Sequence, residues 1–170
     1  MSAPTVARSF WRRVIAWVDL RFRSAAAIYG LIVFTAFVVI AEDHAEDVWD
    51  VLLTALGTLV VFYIAHVFAQ ALTSLGDHGF RASALSALQH GSAMLFASVP
   101  STLVLVVGGV TGMPVTEATS WCTLATFLVL AILGFHAYHR RGADLPKRLV
   151  AAAATATLGL LIVALEAVFH

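Results

Sequence analysis

Five long apolar stretches, separated by short polar connections, dominate the chain. They run from Ala25 to Ala41, from Val48 to Leu72 with a core at Val51–Ala71, from Ser92 to Val110, from Ala118 to Tyr138 and from Leu149 to Phe169. Runs such as Leu31-Ile32-Val33-Phe34 and Leu103-Val104-Leu105-Val106-Val107 show no alternation of apolar and polar positions, as barrel strands would require. Each stretch approaches the ~20 residues that a helix needs to cross a hydrocarbon core of about 30 Å. In lipid only helices and closed barrels satisfy their backbone groups. The pattern therefore predicts an all-α fold, a polytopic membrane bundle of five transmembrane helices.

Composition sharpens this picture. Of 170 residues, 61% are hydrophobic and 12% charged, against about 25% charged in soluble domains. Too few polar side chains exist to cover a water-facing surface. The formal net charge is zero, so no basic surface points to nucleic acid. Cys122 is the single cysteine, which excludes an internal disulfide and a cysteine-based metal cluster within one chain.

The placement of charge predicts orientation. Arg8, Arg12, Arg13, Arg21 and Arg23 precede the first stretch, Arg81 lies between the second and third, and Arg140, Arg141, Lys147 and Arg148 lie between the fourth and fifth. With five spans, all ten basic residues fall on one side, while Glu42, Asp43, Glu46, Asp47, Asp50, Glu117 and Glu166 fall on the other. Basic connections stay in the cytoplasm. The expected arrangement has the N-terminus cytoplasmic and the C-terminus outside, in a bacterial inner membrane; a count of four or six spans would break the partition.

Residues 1–23 read as a basic amphipathic segment in the cytoplasmic interface, and residues 24–170 as the five-helix domain. Phe10, Trp11, Val14, Ile15 and Val18 recur at helical spacing opposite Arg8, Arg12, Arg13 and Asp19. Asp19, Arg21 and Arg23 interrupt what would be the apolar region of a signal peptide. The connections at His44–Trp49, Thr111–Glu117 and Gly142–Pro146 are short, with Pro146 placed to open the last helix. In the longer Thr73–Gly91 segment, Gly76 and Gly79 break the chain, and Ser83, Ser86 and His90 share one face of a helix leading into the third span.

The candidate chemistry centres on the second span. At about 100° per residue, Tyr63, His66, Gln70, Thr73 and Asp77 share one stripe. Ionisable residues inside a span are costly and face the bundle interior or a hydrated path, so Tyr63, His66 and Gln70 are candidates for an ion or proton pathway. The structural alternative is interhelical hydrogen bonding, at about 0.6 kcal/mol per bond. Thr35 and Glu42 join the candidates because they share a face of the first span with Ser24. An acidic cluster of Asp43, Glu46, Asp47 and Asp50, with Glu166 and His170 at the same depth, could concentrate cations; a solvated hairpin explains most of these acids equally well. His66, His90 and His136 are weak metal candidates, since the cytoplasmic-side histidines, with His78 and His139, show no His-x-x-x-His spacing.

Other features point to packing. Ala151, Thr155 and Gly159 form a small-residue ridge, Gly108 and Gly112 a GxxxG step, and Thr119, Thr123 and Thr126 a hydroxyl stripe. Pro100 should bend the third span by freeing the carbonyl of Phe96. There is no Ser-His-Asp set at matching depth, no phosphate-binding glycine loop and no His-Glu-x-x-His, so an enzyme is not expected.

The segments Arg23-Ser-Ala-Ala-Ala-Ile-Tyr-Gly, Leu59-Val-Val-Phe-Tyr-Ile-Ala-His66-Val-Phe-Ala and Gly159-Leu-Leu-Ile-Val-Ala-Leu-Glu-Ala-Val-Phe-His170 resemble a group of small actinobacterial multi-pass membrane proteins. An Arg just before the first span and a His late in the second also faintly resemble the potassium channel family marked by a Phe-Ser-Asp motif, although Arg23-Ser24-Ala25 stands here without that Asp. The resulting expectation is a small channel or transporter for a cation, protons included, working as a homo-oligomer in the lipid bilayer without a cofactor. Two other readings stay open. One is an accessory subunit of a membrane complex; the other is a b-type haem anchor using His66 with His90 or His136.

Overall fold

A computed structural model describes residues 25–73, 80–139 and 142–169. Five α-helices make up the described architecture: α1 (Ala25–Glu42), α2 (Val48–Thr73), α3 (Phe80–Thr111), α4 (Val115–His139) and α5 (Leu145–Phe169). No strand occurs among the described residues. The amphipathic segment expected over residues 1–23, together with Ser24, Asp77, His78, Arg140, Arg141 and His170, lies outside them.

The helices coincide with the five apolar stretches, with one extension. The polar segment that carries Ser83 and Ser86 joins the third stretch in a single helix of 32 residues, about 48 Å at 1.5 Å per residue. Neither Gly91 nor Pro100 ends it. Glycine ends helices only where the backbone turns left-handed. Gly112 (φ 68°) follows α3, and the Met113 N–H donates back to the Gly108 carbonyl at 2.9 Å. Gly142 (φ 67°) precedes α5, and the Ala143 N–H donates to the Tyr138 carbonyl at 3.3 Å. Both contacts close the preceding turn as a C-terminal cap does.

Among the described residues, α2, α3 from Ser83 onwards and α4 are long and apolar enough to cross a membrane, and α1 is a shorter apolar helix. That shortest helix sits at the centre, against α2, α3, α4 and α5. Its Phe34 and Val38 are fully buried in a core with Val51, Leu59, Met94, Leu105 and Cys122, and its Leu31 in a second cluster with Ala93, Ala97 and Leu130. The outer faces stay apolar, with Leu53, Val61, Ile64, Leu103, Val107, Leu128 and Val150 all more than half exposed. A soluble bundle would carry charge there; helices that are apolar all round suit a lipid surround.

Small residues set the closest approaches. A Cβ on Gly30 would lie 2.8 Å from the Cα and carbonyl oxygen of Met94, so α1 and α3 meet backbone to backbone. On Gly134 it would strike the Ala151 carbonyl at 2.6 Å and the Thr155 hydroxyl. The Ala151–Thr155–Gly159 ridge therefore faces α4 in the same chain, and the Thr155 hydroxyl reaches the Leu130 carbonyl across the seam at 2.9 Å. The Gly108 step serves the α3–α4 crossing, where an added Cβ would lie 2.8 Å from that of Ala118.

Candidate functional site

The inward face of α2 changes character along its length. Val48, Leu52, Ala55 and Leu59 line one stripe and are buried in the core. Continued at helical spacing, the stripe reaches Tyr63, His66 and Gln70, all of them half-buried. The Tyr63 hydroxyl donates to the Leu88 carbonyl of α3 at 3.3 Å. One turn on, the Gln70 amide nitrogen lies 3.0 Å from His66 Nε2. With the amide donating, that nitrogen is the acceptor and the imidazole is neutral with its proton on Nδ1. Thr73 turns away and donates to the Gln70 carbonyl within its own helix.

Thr35 lies in a different polar cluster from this stripe. It is buried at the crossing of α1, α3 and α4, its hydroxyl 2.9 Å from Thr126 Oγ1 and 2.9 Å from the Leu31 carbonyl. Ser101 Oγ lies 2.8 Å from the same Thr126 oxygen, and Thr126 is 3.1 Å from the Cys122 carbonyl. A consistent proton arrangement has Thr126 donating to Cys122 and accepting from both Thr35 and Ser101. The Cys122 thiol in turn points at the Ser101 carbonyl, 3.5 Å away. Three helices are thus tied at one oxygen. Of the threonine stripe on α4, Thr126 takes part in this hub, whereas Thr119 donates to carbonyls of its own helix. Thr102 follows Ser101 about 100° round α3, and its buried hydroxyl has no partner among the described residues.

The acidic connection is partly committed to helix capping. Asp47 precedes α2 and accepts the Asp50 N–H at 2.9 Å, while the Asp50 carboxylate accepts the Glu46 N–H at 3.3 Å. The two carboxylates satisfy orphan donors at the start of a helix, as an N-cap does. Asp43 is exposed, and Glu42 is half-buried at the end of α1. Glu46 and Asp47 also border a cavity of about 350 Å³ shared with Trp49, Gly109, Gly112 and Pro114. Glu166 and His90 lie on α5 and α3, but their side chains are outside the described set. His136 is exposed on α4, its ring 6.2 Å from that of His139, which stacks on Phe135. Among the described residues no group of three or more His, Cys, Asp or Glu is placed to hold a metal ion.

Sequence reasoning paired Thr35 with Glu42 and missed the Thr35–Ser101–Thr126 hub. A signal did exist: each is a hydroxyl inside an otherwise apolar stretch, where it needs a partner. The position of that partner in another helix is a tertiary fact.

By length and composition, three helices place the chain among helical membrane proteins. Comparison with protein-family models, curated proteins and solved structures finds no match.

Proposed function

We propose that this chain is a five-span protein of the bacterial inner (plasma) membrane, N-terminus cytoplasmic, that passes a small cation, protons included, as a homo-oligomer. The observation that carries this reading is the inward stripe of α2, apolar from Val48 to Leu59 and polar at Tyr63, His66 and Gln70. An imidazole carries one nitrogen that donates and one that accepts, which suits proton relay, and His66 is half-buried on this stripe beside Gln70. Deeper in, Phe34, Leu59, Met94 and Leu105 close the core. Passage therefore requires helix movement or a path completed by a second copy, which is the reason for proposing an oligomer.

Proton and potassium flux in proteoliposomes containing only this chain tests the proposal. His66→Ala should alter conductance or its pH dependence and lower stability by no more than about 1 kcal/mol. Destabilisation without a change in flux, or no flux in the wild type, would sink it. Orientation is tested separately in a Cys122→Ala background. A cysteine at Ala45 should react with an impermeant thiol reagent in intact cells and one at Ala143 should not; reversed labelling would overturn the assigned topology.

A second reading, an accessory subunit of a membrane complex, draws support from the Tyr63–Leu88 contact and the Thr126 hub, where polar groups tie helices together. Co-purification of a fixed set of partners, with no flux from the chain alone, would favour it.

A further inference from the structure

A second feature of the bundle lies on its outer surface, away from the α2 stripe. A groove of about 490 Å³ runs between α3 and α4, lined by Leu103, Val107, Met113, Trp121, Leu124 and Leu128 among others, all apolar or aromatic. Leu103, Val107, Trp121, Leu124 and Leu128 are each more than half exposed, so the groove opens outward rather than into the core. No helix among the described residues fills it.

Its dimensions and its charge both describe an occupant. On α4, Glu117, Trp121, Leu124 and Leu128 follow one another at helical spacing and share a face. From Glu117 to Leu128 is eleven residues, about 16 Å at 1.5 Å per residue, which is half of a hydrocarbon core of about 30 Å. The groove, together with the turn of α4 that leads into it from Glu117, therefore spans one leaflet. Its mouth is acidic: Glu117 is exposed at the start of α4, and Glu46 and Asp47 lie beyond Met113, which borders both this groove and the neighbouring cavity. The two connections at this end, residues 43–47 and 112–114, contain no Lys or Arg. An anionic headgroup would meet the carboxylates of Asp43, Glu46, Asp47 and Glu117 there, against the single imidazole of His44. An ammonium group would meet the Glu117 carboxylate, with the Trp121 indole one turn away as a face for cation attraction.

We propose that the α3–α4 groove binds a membrane lipid with an ethanolamine headgroup, its ammonium at Glu117 and one acyl chain lying along Trp121, Leu124 and Leu128. The proposal rests on the membrane reading but not on cation passage. Its specificity comes from charge at the mouth, because the apolar trough accepts any chain.

Quenching of tryptophan fluorescence by brominated acyl chains tests the site. The protein is reconstituted into phosphatidylcholine vesicles doped with dibrominated phosphatidylethanolamine or dibrominated phosphatidylglycerol, and the Trp121 contribution is taken as the difference from Trp121→Phe. At low mole fraction the ethanolamine lipid should quench Trp121 more effectively, by up to roughly fivefold, the range of an exposed ion pair. Glu117→Gln should bring the two lipids together, with thermal unfolding unchanged because Glu117 is exposed. Ala125→Phe, which fills the trough, should abolish selective quenching by either lipid. Equal quenching by both lipids in the wild type, or a preference that survives Glu117→Gln, would overturn the proposal. So would disulfide linkage between copies through Leu124→Cys in a Cys122→Ala background, since a second chain would then cover the groove. Vesicle flotation separates the two levels: a chain that does not float with vesicles fails the membrane reading itself, whereas a floating chain without lipid preference fails only the lipid site.

Discussion

The α4–α5 and α2–α3 seams are the two most extensive helix contacts among the described residues, and they differ in how closely their backbones approach. Between α4 and α5 the backbones approach until Gly134 lies against the Ala151 carbonyl, and the Thr155 hydroxyl there is taken up by carbonyls at 2.9–3.0 Å. Farther along that seam Gly159 receives the Phe127 ring, and between α2 and α3 rings fill both such places: Gly109 faces the Trp49 indole and Gly91 the Tyr63 ring. At Gly134 the first seam has no room for an added side chain, and close van der Waals packing of this kind helps to drive helix association in lipid. The second takes in the Tyr63 ring, one turn of α2 before His66 and its Gln70 partner. Close packing and candidate chemistry occupy different seams.

The same substitution at the two seams should separate them most strongly. Gly134→Ala places a methyl group against backbone that cannot yield, and should cost about 2 kcal/mol despite the gain in helix propensity. Thermal unfolding in mild detergent is the check; an unchanged midpoint would mean that the two helices can slide apart freely. Thr126→Val should have an intermediate effect, about 1.5 kcal/mol, because it removes the oxygen that both Thr35 and Ser101 approach. A cycle with Thr35→Val should show strong non-additivity, and additive losses would dismiss the hub. Gly91→Ala should matter least. Its added Cβ meets only the Tyr63 ring and a Val67 methyl at 3.1 Å, which can shift by a few tenths of an ångström, so the change should stay within about 0.5 kcal/mol of wild type. A loss as large as that of Gly134→Ala would erase the distinction between the seams.

The helix limits could be read from the sequence because a bilayer demands long apolar runs, and α1, α2 and α4 begin and end within a few residues of those runs. Which helix faces which could not. Lipid is as apolar as a protein core, so Leu53 on the surface and Leu59 in the core carry no distinguishing mark in hydropathy. Glycines were informative only in part. The Ala151–Thr155–Gly159 ridge stood out by its spacing, whereas Gly30 and Gly134, which set two of the closest backbone approaches, are isolated glycines among larger residues. The same limit applies to the site: His66 and Gln70 were legible as a pair four residues apart on one helix, but Thr35 was assigned to Glu42 on its own helix because its partner lies elsewhere in the chain.

The hub has a consequence for how the protein is made. Thr126 lies 91 residues downstream of Thr35, so at a synthesis rate of about 5–20 residues per second the central helix waits roughly 5–18 s before its cross-helix partner exists. During that interval its hydroxyl still has the Leu31 carbonyl at 2.9 Å. The first helix can therefore rest alone in lipid with its polar group satisfied and exchange that bond for a shared one only when the fourth helix arrives. Order of arrival, as much as final contact, is written into where that threonine stands.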